Sequence, residues 1–485
     1  MADKRENIVI FPFMAQGHII PFLALAFQIE QRGFNVIFVN TPRNIQKLRS
    51  SIPASSAIRL QEIPFDAVQH GLPAGAENTD VLPPHLIFPF IKSSLSLEPP
   101  FRRLISDLTR ESCGSPPLCI VAREFGSFHA IFSGSSGFGL ACYYSLWNNM
   151  LYLEAKSKEF MTLPDFPEAG TLHKTQLPAN FLAADGNDIP SVFNRKNLPS
   201  WLNSGGMLCN SVEDLDKLGL DYFRRKLGRP VWAVGPLLLP GDNMARAVKQ
   251  YGVTLEKCVE WLDAKPEKSV LLICFGSNNT ISAERNFIWV VRPPLGFDIN
   301  GLFRAEEWLP EGFIGRLVES RRRGLVVDQW APQVQILSHR SVGAFMNHCG
   351  WNSALEALSR GVPLLGWPTM GDQFFNCKYL TEEIGVCVEV TTVTNLDVSH
   401  EDIKEKIDLV MGESERAMQI RKKAEEVKKI ISKATNRDEG SGFKGSSANA
   451  MDDFLDAAFS MRTRNDTTNA HANGNHKQMV EILNI

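Results

Sequence analysis

At 485 residues, with 44% hydrophobic and 22% charged residues, the chain has the makeup of a globular protein of two domains, not of a disordered or fibrous one. A formal net charge of −3 argues against general binding to nucleic acid or to an anionic membrane surface. Nine cysteines, an odd number with no C-x-x-C pair, favour free thiols in a reducing, cytoplasmic setting over a disulfide framework or a structural zinc.

In chain order, NIVIFPF (7–13) reads as a buried strand and MAQGHI (14–19) as a loop. PFLALAFQIEQRG (21–33) reads as a helix with Pro21 at its first position and Gly33 beyond its end. FNVIFVN (34–40) is the next strand, completing a β-α-β unit. Although residues 8–27 are rich in apolar side chains, Gln16, Gly17, His18, Pro12 and Pro21 interrupt any membrane span or signal core. LCIVA (118–122) and FHAIF (128–132) are strand candidates, and residues 140–240 read as turns and short helices around a pocket. SVLLICFGS (269–277), FIWVVRP (287–293), LVVD (325–328), VGAFMN (342–347) and GVCVEV (385–390) are strand-like. The charged stretch 415–434 reads as a solvated helix with i,i+4 pairs.

The expected domains are 1–240 and 257–447, joined by a linker at 241–256. A helix at 448–461 is expected to pack back on the N-terminal domain, with a disordered tail at 462–485. Two doubly wound, Rossmann-like α/β domains place the ligand site at strand C-terminal ends, facing the cleft between them.

The densest chemical signal is WAPQVQILSHRSVGAFMNHCGWNSALEALSRGVPLLGWPTMGDQ (330–373). A strand (342–347) runs into HCGWNS, then into a helix over 353–361, with Asn352 and Ser353 as N-cap types. Such a helix start beyond a strand is an anion site, because free N–H groups and the helix dipole favour phosphate. His348 stands beside it as a donor, and Glu356 lies one turn after Asn352, where a carboxylate accepts from hydroxyls. Trp330, just beyond the strand-like run 325–328, offers an indole to a planar base.

This segment resembles the 44-residue donor-binding signature of plant UDP-dependent glycosyltransferases, and the opening FPFMAQGHIIPFLALA resembles the start of the same family. The resemblance spans about residues 5–460 and implies the two-domain fold called GT-B. It implies that Trp330 and the backbone of Ala331 hold uracil, and that Gln333 and Glu356 hold ribose. His348, Asn352, Ser353 and Ser277 would hold the diphosphate, and Trp351, Asp372 and Gln373 would face the sugar. A terminal Gln is associated with glucose in this family, so UDP-glucose is the expected donor. His18 would deprotonate a hydroxyl of a small hydrophobic acceptor, with inversion at the anomeric carbon. The UDP-sugar is a co-substrate, and neither a cofactor nor a metal is implied. Nucleic acid is not an expected partner, and oligomeric state leaves no mark in the sequence.

The family orients its histidine with an Asp after the strand that here ends LCIVA, where this chain has Arg123 and Glu124. Only Arg123 to Ser127 separate two strand candidates, and only Asn278 to Asn286 separate another two, fewer than a helical crossover needs. The alternative expectation is therefore an impaired or inactive UDP-sugar binder, or a mispredicted gene product, whose sheets either rearrange or leave apolar surface uncovered. Asp214-Leu215-Asp216 has the D-x-D form of a metal-dependent transferase but reads as an exposed helix face. GSSGFG (134–139) has the wrong glycine spacing for a dinucleotide fingerprint.

Overall fold

A computed structural model describes residues 6–112, 115–121, 128–239, 253–274, 285–291, 323–328, 331–392, 398–438 and 440–472, with a few positions between 304 and 315. The first sheet contains β1 (Asn7–Ile10), β2 (Asn35–Asn40), β3 (Arg59–Glu62), β4 (Cys119–Val121) and β5 (Phe128–Ser133). An antiparallel hairpin, β6 (Phe160–Thr162) with β7 (Thr171–His173), precedes its last strands, β8 (Gly206–Cys209) and β9 (Val231–Ala233). The second sheet holds β10 (Val270–Cys274), β11 (Asn286–Val291), β12 (Gly324–Asp328), β13 (Val342–Asn347), β14 (Leu364–Gly366) and β15 (Cys387–Glu389).

Strand order is β3-β2-β1-β4-β5-β8-β9 in the first sheet and β12-β11-β10-β13-β14-β15 in the second, with parallel pairing throughout. Both are doubly wound, and each reverses direction where its first and fourth strands meet, which creates a crevice at the strand ends. Helices cover both faces, so the strands are apolar on both sides rather than alternating. In β10, Val270, Leu272 and Cys274 enter one buried cluster while Leu271 and Ile273 enter another. Ile8 and Ile10 of β1 likewise part from Val9. The strand period of two thus feeds two cores per sheet.

Of the two outcomes expected from the short connections, rearrangement does not occur in either sheet. β4 pairs with β5 in parallel (Cys119↔Phe128), and β10 pairs with β11 (Val270↔Asn286). Residues 122–127 and 275–284, including Arg123, Glu124 and Ser277, lie outside the described residues.

Several boundaries also shift. The first helix runs from Gln16 to Glu30, with Pro21 inside it, so His18 lies in a helical turn and not in a loop. The helix Leu255–Asp263 is capped by Thr254, which accepts from the Lys257 N–H, and it claims the end of the expected linker. The last helix spans Ser446–Ala472, so the first part of the expected disordered tail is helical. Met451, Phe454, Leu455 and Ala458 of that helix sit in the core of the first sheet, with the Phe454 ring 5.4 Å from Trp232. No helix among the described residues is long and apolar enough to cross a membrane.

Candidate active site

His18 stands just past β1, at the crevice of the first sheet. The turn that delivers it is fixed by backbone carbonyls held from below. Asn40 Nδ2 donates to the Pro12 carbonyl at 3.0 Å, and the Thr79 N–H donates to Met14 at 3.2 Å. Asn40, Asn44 and Asn78 form a buried amide cluster there, with Asn44 Nδ2 donating to Asn40 Oδ1 at 2.9 Å and Asn78 Nδ2 to Asn44 Oδ1 at 3.1 Å. The Phe13 ring meets the imidazole edge-on, with centroids 5.5 Å apart. The His18 side chain is exposed, with the Phe13 ring against one edge of it. Desolvation lowers its pKa below the ordinary 6.5, and the negative charge of Asp372 opposes that shift.

Pro21 explains how the two domains meet at His18. Inside a helix, proline has no N–H to give the carbonyl four residues back, here Gly17. Asn352 Nδ2 of the second domain donates to that carbonyl at 3.0 Å. Asn352 Oδ1 in turn accepts from Asn210 Nδ2 at 3.0 Å, and Trp351 Nε1 donates to the Asn210 carbonyl at 2.8 Å. One asparagine after β8 thus ties down both residues of the donor turn.

The donor turn follows β13, at the crevice of the second sheet. Its helix spans Trp351–Leu358, and the N-cap is Gly350 rather than Asn352 or Ser353, which lie in the first turn. Gly350 has no side chain, so the N-cap residue itself does not compete there with an anion. A Cβ on Gly350 would come within 2.4 Å of His348 Nε2, so only glycine lets the imidazole fold across the helix start. Cys349 between them holds φ at 57°, a left-handed conformation uncommon outside glycine and concentrated at functional turns.

Gln333 and Glu356 meet in the structure: both are buried, and Gln333 Nε2 donates to Glu356 Oε2 at 2.8 Å and to Ser353 Oγ at 3.3 Å. Ala331 is buried, and its carbonyl accepts from the Gln333 N–H at 2.8 Å. Trp330 lies outside the described residues. The Trp351 indole is buried and committed to Asn210, so its ring braces the interface instead of lying open to a sugar. Asp372 accepts from Ser135 Oγ and, at 2.9 Å, from Asn376 Nδ2, and Asn376 Oδ1 accepts from Ser136 Oγ at 2.6 Å. Gln373 Oε1 accepts from the Thr369 and Met370 N–H groups, both at 3.0 Å, which fixes its turn.

The structure also corrects the D-x-D reading. Asp216 is fully buried, accepting from the Gly137 N–H and, at 2.9 Å, from the Phe138 N–H at the start of the helix Gly137–Asn148. Burial is the largest influence on its carboxyl, which rises to about 6 despite these donors. Asp216 is a structural anchor for the 134–139 turn. On the acceptor side, burial pushes Tyr143 up to about 12, helped by the charge of Asp372, and its hydroxyl accepts from Asn194 Nδ2 at 3.3 Å.

With two doubly wound sheets, His18 at one crevice and a phosphate-type turn at the other, comparison with known proteins decides the family. Residues 310–422 match the family profile described as UDP-glucoronosyl and UDP-glucosyl transferase, and residues 5–113 match a glycosyltransferase N-terminal domain. UDP-glycosyltransferase 92A1 of Arabidopsis thaliana is 44% identical over 95% of this chain and 99% of its own length. The chain belongs to the plant UDP-glycosyltransferase family. Crocetin glucosyltransferase 3 of Crocus sativus is 37% identical over 78% of this chain and 85% of its own. Among solved structures, a Glycyrrhiza uralensis UDP-glycosyltransferase bound to glycyrrhetinic acid 3-O-monoglucuronide superposes with a TM-score of 0.76 at 25% identity, covering 97% of this chain and 99% of its own. A Polygonum tinctorium UDP-glucosyltransferase that glucosylates indoxyl, in complex with 3,4-dichloroaniline, gives 0.72 at 26% identity, covering 94% and 99%. The protein is therefore a transferase with the GT-B fold, in a family whose members invert the anomeric centre.

Sequence reasoning missed the Asn210 clasp, the Ser135 and Ser136 contacts, and Asp216. Pro21 was the available signal for the first, since an internal proline leaves a carbonyl that another group must satisfy.

Proposed function

We propose that this UDP-glycosyltransferase moves glucose from UDP-glucose to a hydroxyl of a small hydrophobic acceptor, in a reducing, cytoplasmic compartment. The observation that supports this most is the position of His18, exposed to the cleft and joined to the donor turn through Gly17 and Asn352. His18 takes the acceptor proton, and the resulting oxygen nucleophile attacks the anomeric carbon from the side opposite UDP. The start of the helix Trp351–Leu358 and His348 stabilise the departing diphosphate. Gln333 and Glu356 receive the ribose, Trp330 and Ala331 the uracil, and Asp372 and Gln373 the sugar. Asp372 has a second effect, since its charge raises the proton affinity of His18. That the Crocus and Polygonum relatives are named as glucosyltransferases supports the donor, and indoxyl, a small apolar molecule with a hydroxyl, supports the acceptor class.

The inactive reading loses the support that rested on rearranged sheets, because both keep their parallel order across the short connections, while the position of the family's Asp, at Arg123 and Glu124, lies outside the described residues. Eight described cysteines, all buried free thiols, accord with a reducing compartment. The test is UDP release by purified protein with UDP-glucose, UDP-galactose and a panel of phenolic acceptors. Turnover with UDP-glucose above UDP-galactose is expected; absence of turnover with every pair, or the reverse ranking, overturns the proposal.

A further inference from the structure

Cysteines that are scattered in sequence converge beneath the donor turn. The sulfurs of Cys349, Cys377 and Cys387 all lie within 4.8 Å of one another, and all three residues are buried. They come from three elements: the turn after β13, the helix Gln373–Lys378, and the start of β15. Gly366, at the end of β14, makes the space. A Cβ there would lie 2.4 Å from Cys377 Sγ, 2.8 Å from Cys349 Sγ and 3.2 Å from Cys387 Sγ. A second feature points into the same place. A π-helical turn over Tyr379–Glu383 follows the Cys377 helix, and such turns concentrate at functional sites. Its Thr381 Oγ1 is shielded from water and lacks a hydrogen-bond partner among the described residues.

We propose that Cys349, Cys377 and Cys387 form a site for a thiophilic d10 metal ion, Cu(I) or Zn(II), directly under the sugar-donor turn. Sulfur ligands select these ions over hard cations such as Mg2+ or Ca2+. Metal–sulfur bonds of about 2.3 Å put ligand sulfurs roughly 3.8–4 Å apart, so the observed cluster needs little closing. Cu(I) is satisfied by the three sulfurs alone. Zn(II) takes a fourth ligand, an oxygen donor such as water, beside the three sulfurs. No electron moves: three metal–sulfur bonds replace up to three S–H bonds, and the protons leave to solvent. The ion braces the donor turn, because Cys349 directly follows His348 and its carbonyl accepts from Asn376 Nδ2 at 3.1 Å.

The experiment is anaerobic titration of the full chain with Cu(I) against a bicinchoninate competitor and, separately, with Zn(II) against a pyridylazo-resorcinol competitor. X-ray absorption then reads the ligands of the bound ion. One ion per chain with three sulfur scatterers is expected, with affinity falling about 100-fold or more in Cys377→Ser and Cys387→Ser. UDP binding by each variant, measured by calorimetry, reports that it has folded. Three sulfurs alone identify Cu(I) as the occupant, and three sulfurs with one oxygen identify Zn(II). Failure of the native chain to hold either ion at one equivalent, or native-like affinity in folded variants, overturns the proposal. Neither result depends on which sugar or acceptor the enzyme takes.

Discussion

The two sides of the cleft are built differently. On the donor side, one contiguous run from Ala331 to Gln373 supplies a buried pair, a phosphate-type turn and a helix start. On the catalytic side, His18 is placed by Pro12 and Met14 carbonyls held from Asn40 and Thr79, by Phe13, and by a carbonyl that reaches Asn352 across the cleft. Nucleotide recognition thus fits into a single strand–turn–helix, because one helix terminus supplies most of what a diphosphate needs. Positioning a base opposite that terminus needs contacts between two domains, and these are spread over the chain. Asn210, Ser135 and Asp216 belong to neither motif, yet Asn210 and Ser135 bond across the cleft and Asp216 anchors the turn that carries Ser135.

The largest expected effect separates the sides cleanly. His18→Ala should reduce turnover by about 10²–10⁴-fold, the usual contribution of a positioned general base. UDP affinity, measured by calorimetry, should stay unchanged, because no described contact of the donor turn uses the imidazole. A matching loss of UDP binding would mean that the two sides are not separable.

Next is the anchor of the 134–139 turn on the catalytic side. Asp216→Ala leaves the Gly137 and Phe138 N–H groups buried without an acceptor, at about 1–3 kcal/mol for each orphaned donor. Urea unfolding should show the loss. The carboxyl also gives a pH signature. Its folded pKa of about 6 exceeds the ordinary 3.8, so the native state binds the extra proton. That contribution is fully present below about pH 4 and is lost as pH rises through 6. Asp216→Asn should flatten that part of the stability profile. An unchanged slope would show that the Asp216 carboxyl does not titrate as its burial implies.

How much of this was legible follows the same division. The strands, the doubly wound order and the donor run could be read because period-two burial and helix-start chemistry are local. The first helix was placed too late because Pro21 suits a first helical position. It sits inside the helix because Asn352, far along the chain, satisfies the carbonyl that it leaves open. Asp214-Leu215-Asp216 looked exposed because nothing in SVEDLDKLG marks Asp216 as the acceptor for a helix some 80 residues earlier. Cys349, Cys377 and Cys387 share no motif spacing; the β14–β15 pairing brings them together.

A smaller effect tests the donor pair. Glu356→Ala leaves the buried Gln333 amide only its longer bond to Ser353 Oγ and removes a ribose acceptor, which should weaken UDP binding by about 1–3 kcal/mol. Trp330→Ala should weaken it similarly through lost stacking. Neither change should move the pH dependence set by His18, and a shift there would tie the donor pair to the base.

The smallest effect joins the two sides through charge alone. Desolvation lowers the His18 pKa and Asp372 raises it, so the free enzyme should gain activity with rising pH along a limb centred below 6.5. Above that limb the imidazole is neutral and able to accept the acceptor proton. Asp372→Asn removes the only named influence that favours the protonated ring, so the limb of kcat/KM should move to lower pH. Turnover will also fall through the contacts of Asp372 at the sugar, but the position of the limb is independent of its height. Asn keeps the size of the side chain and can still accept from Ser135 Oγ, so the change isolates charge from packing. A limb that stays in place would mean that Asp372 is too well screened to reach His18. The base would then owe its proton affinity to the first domain alone.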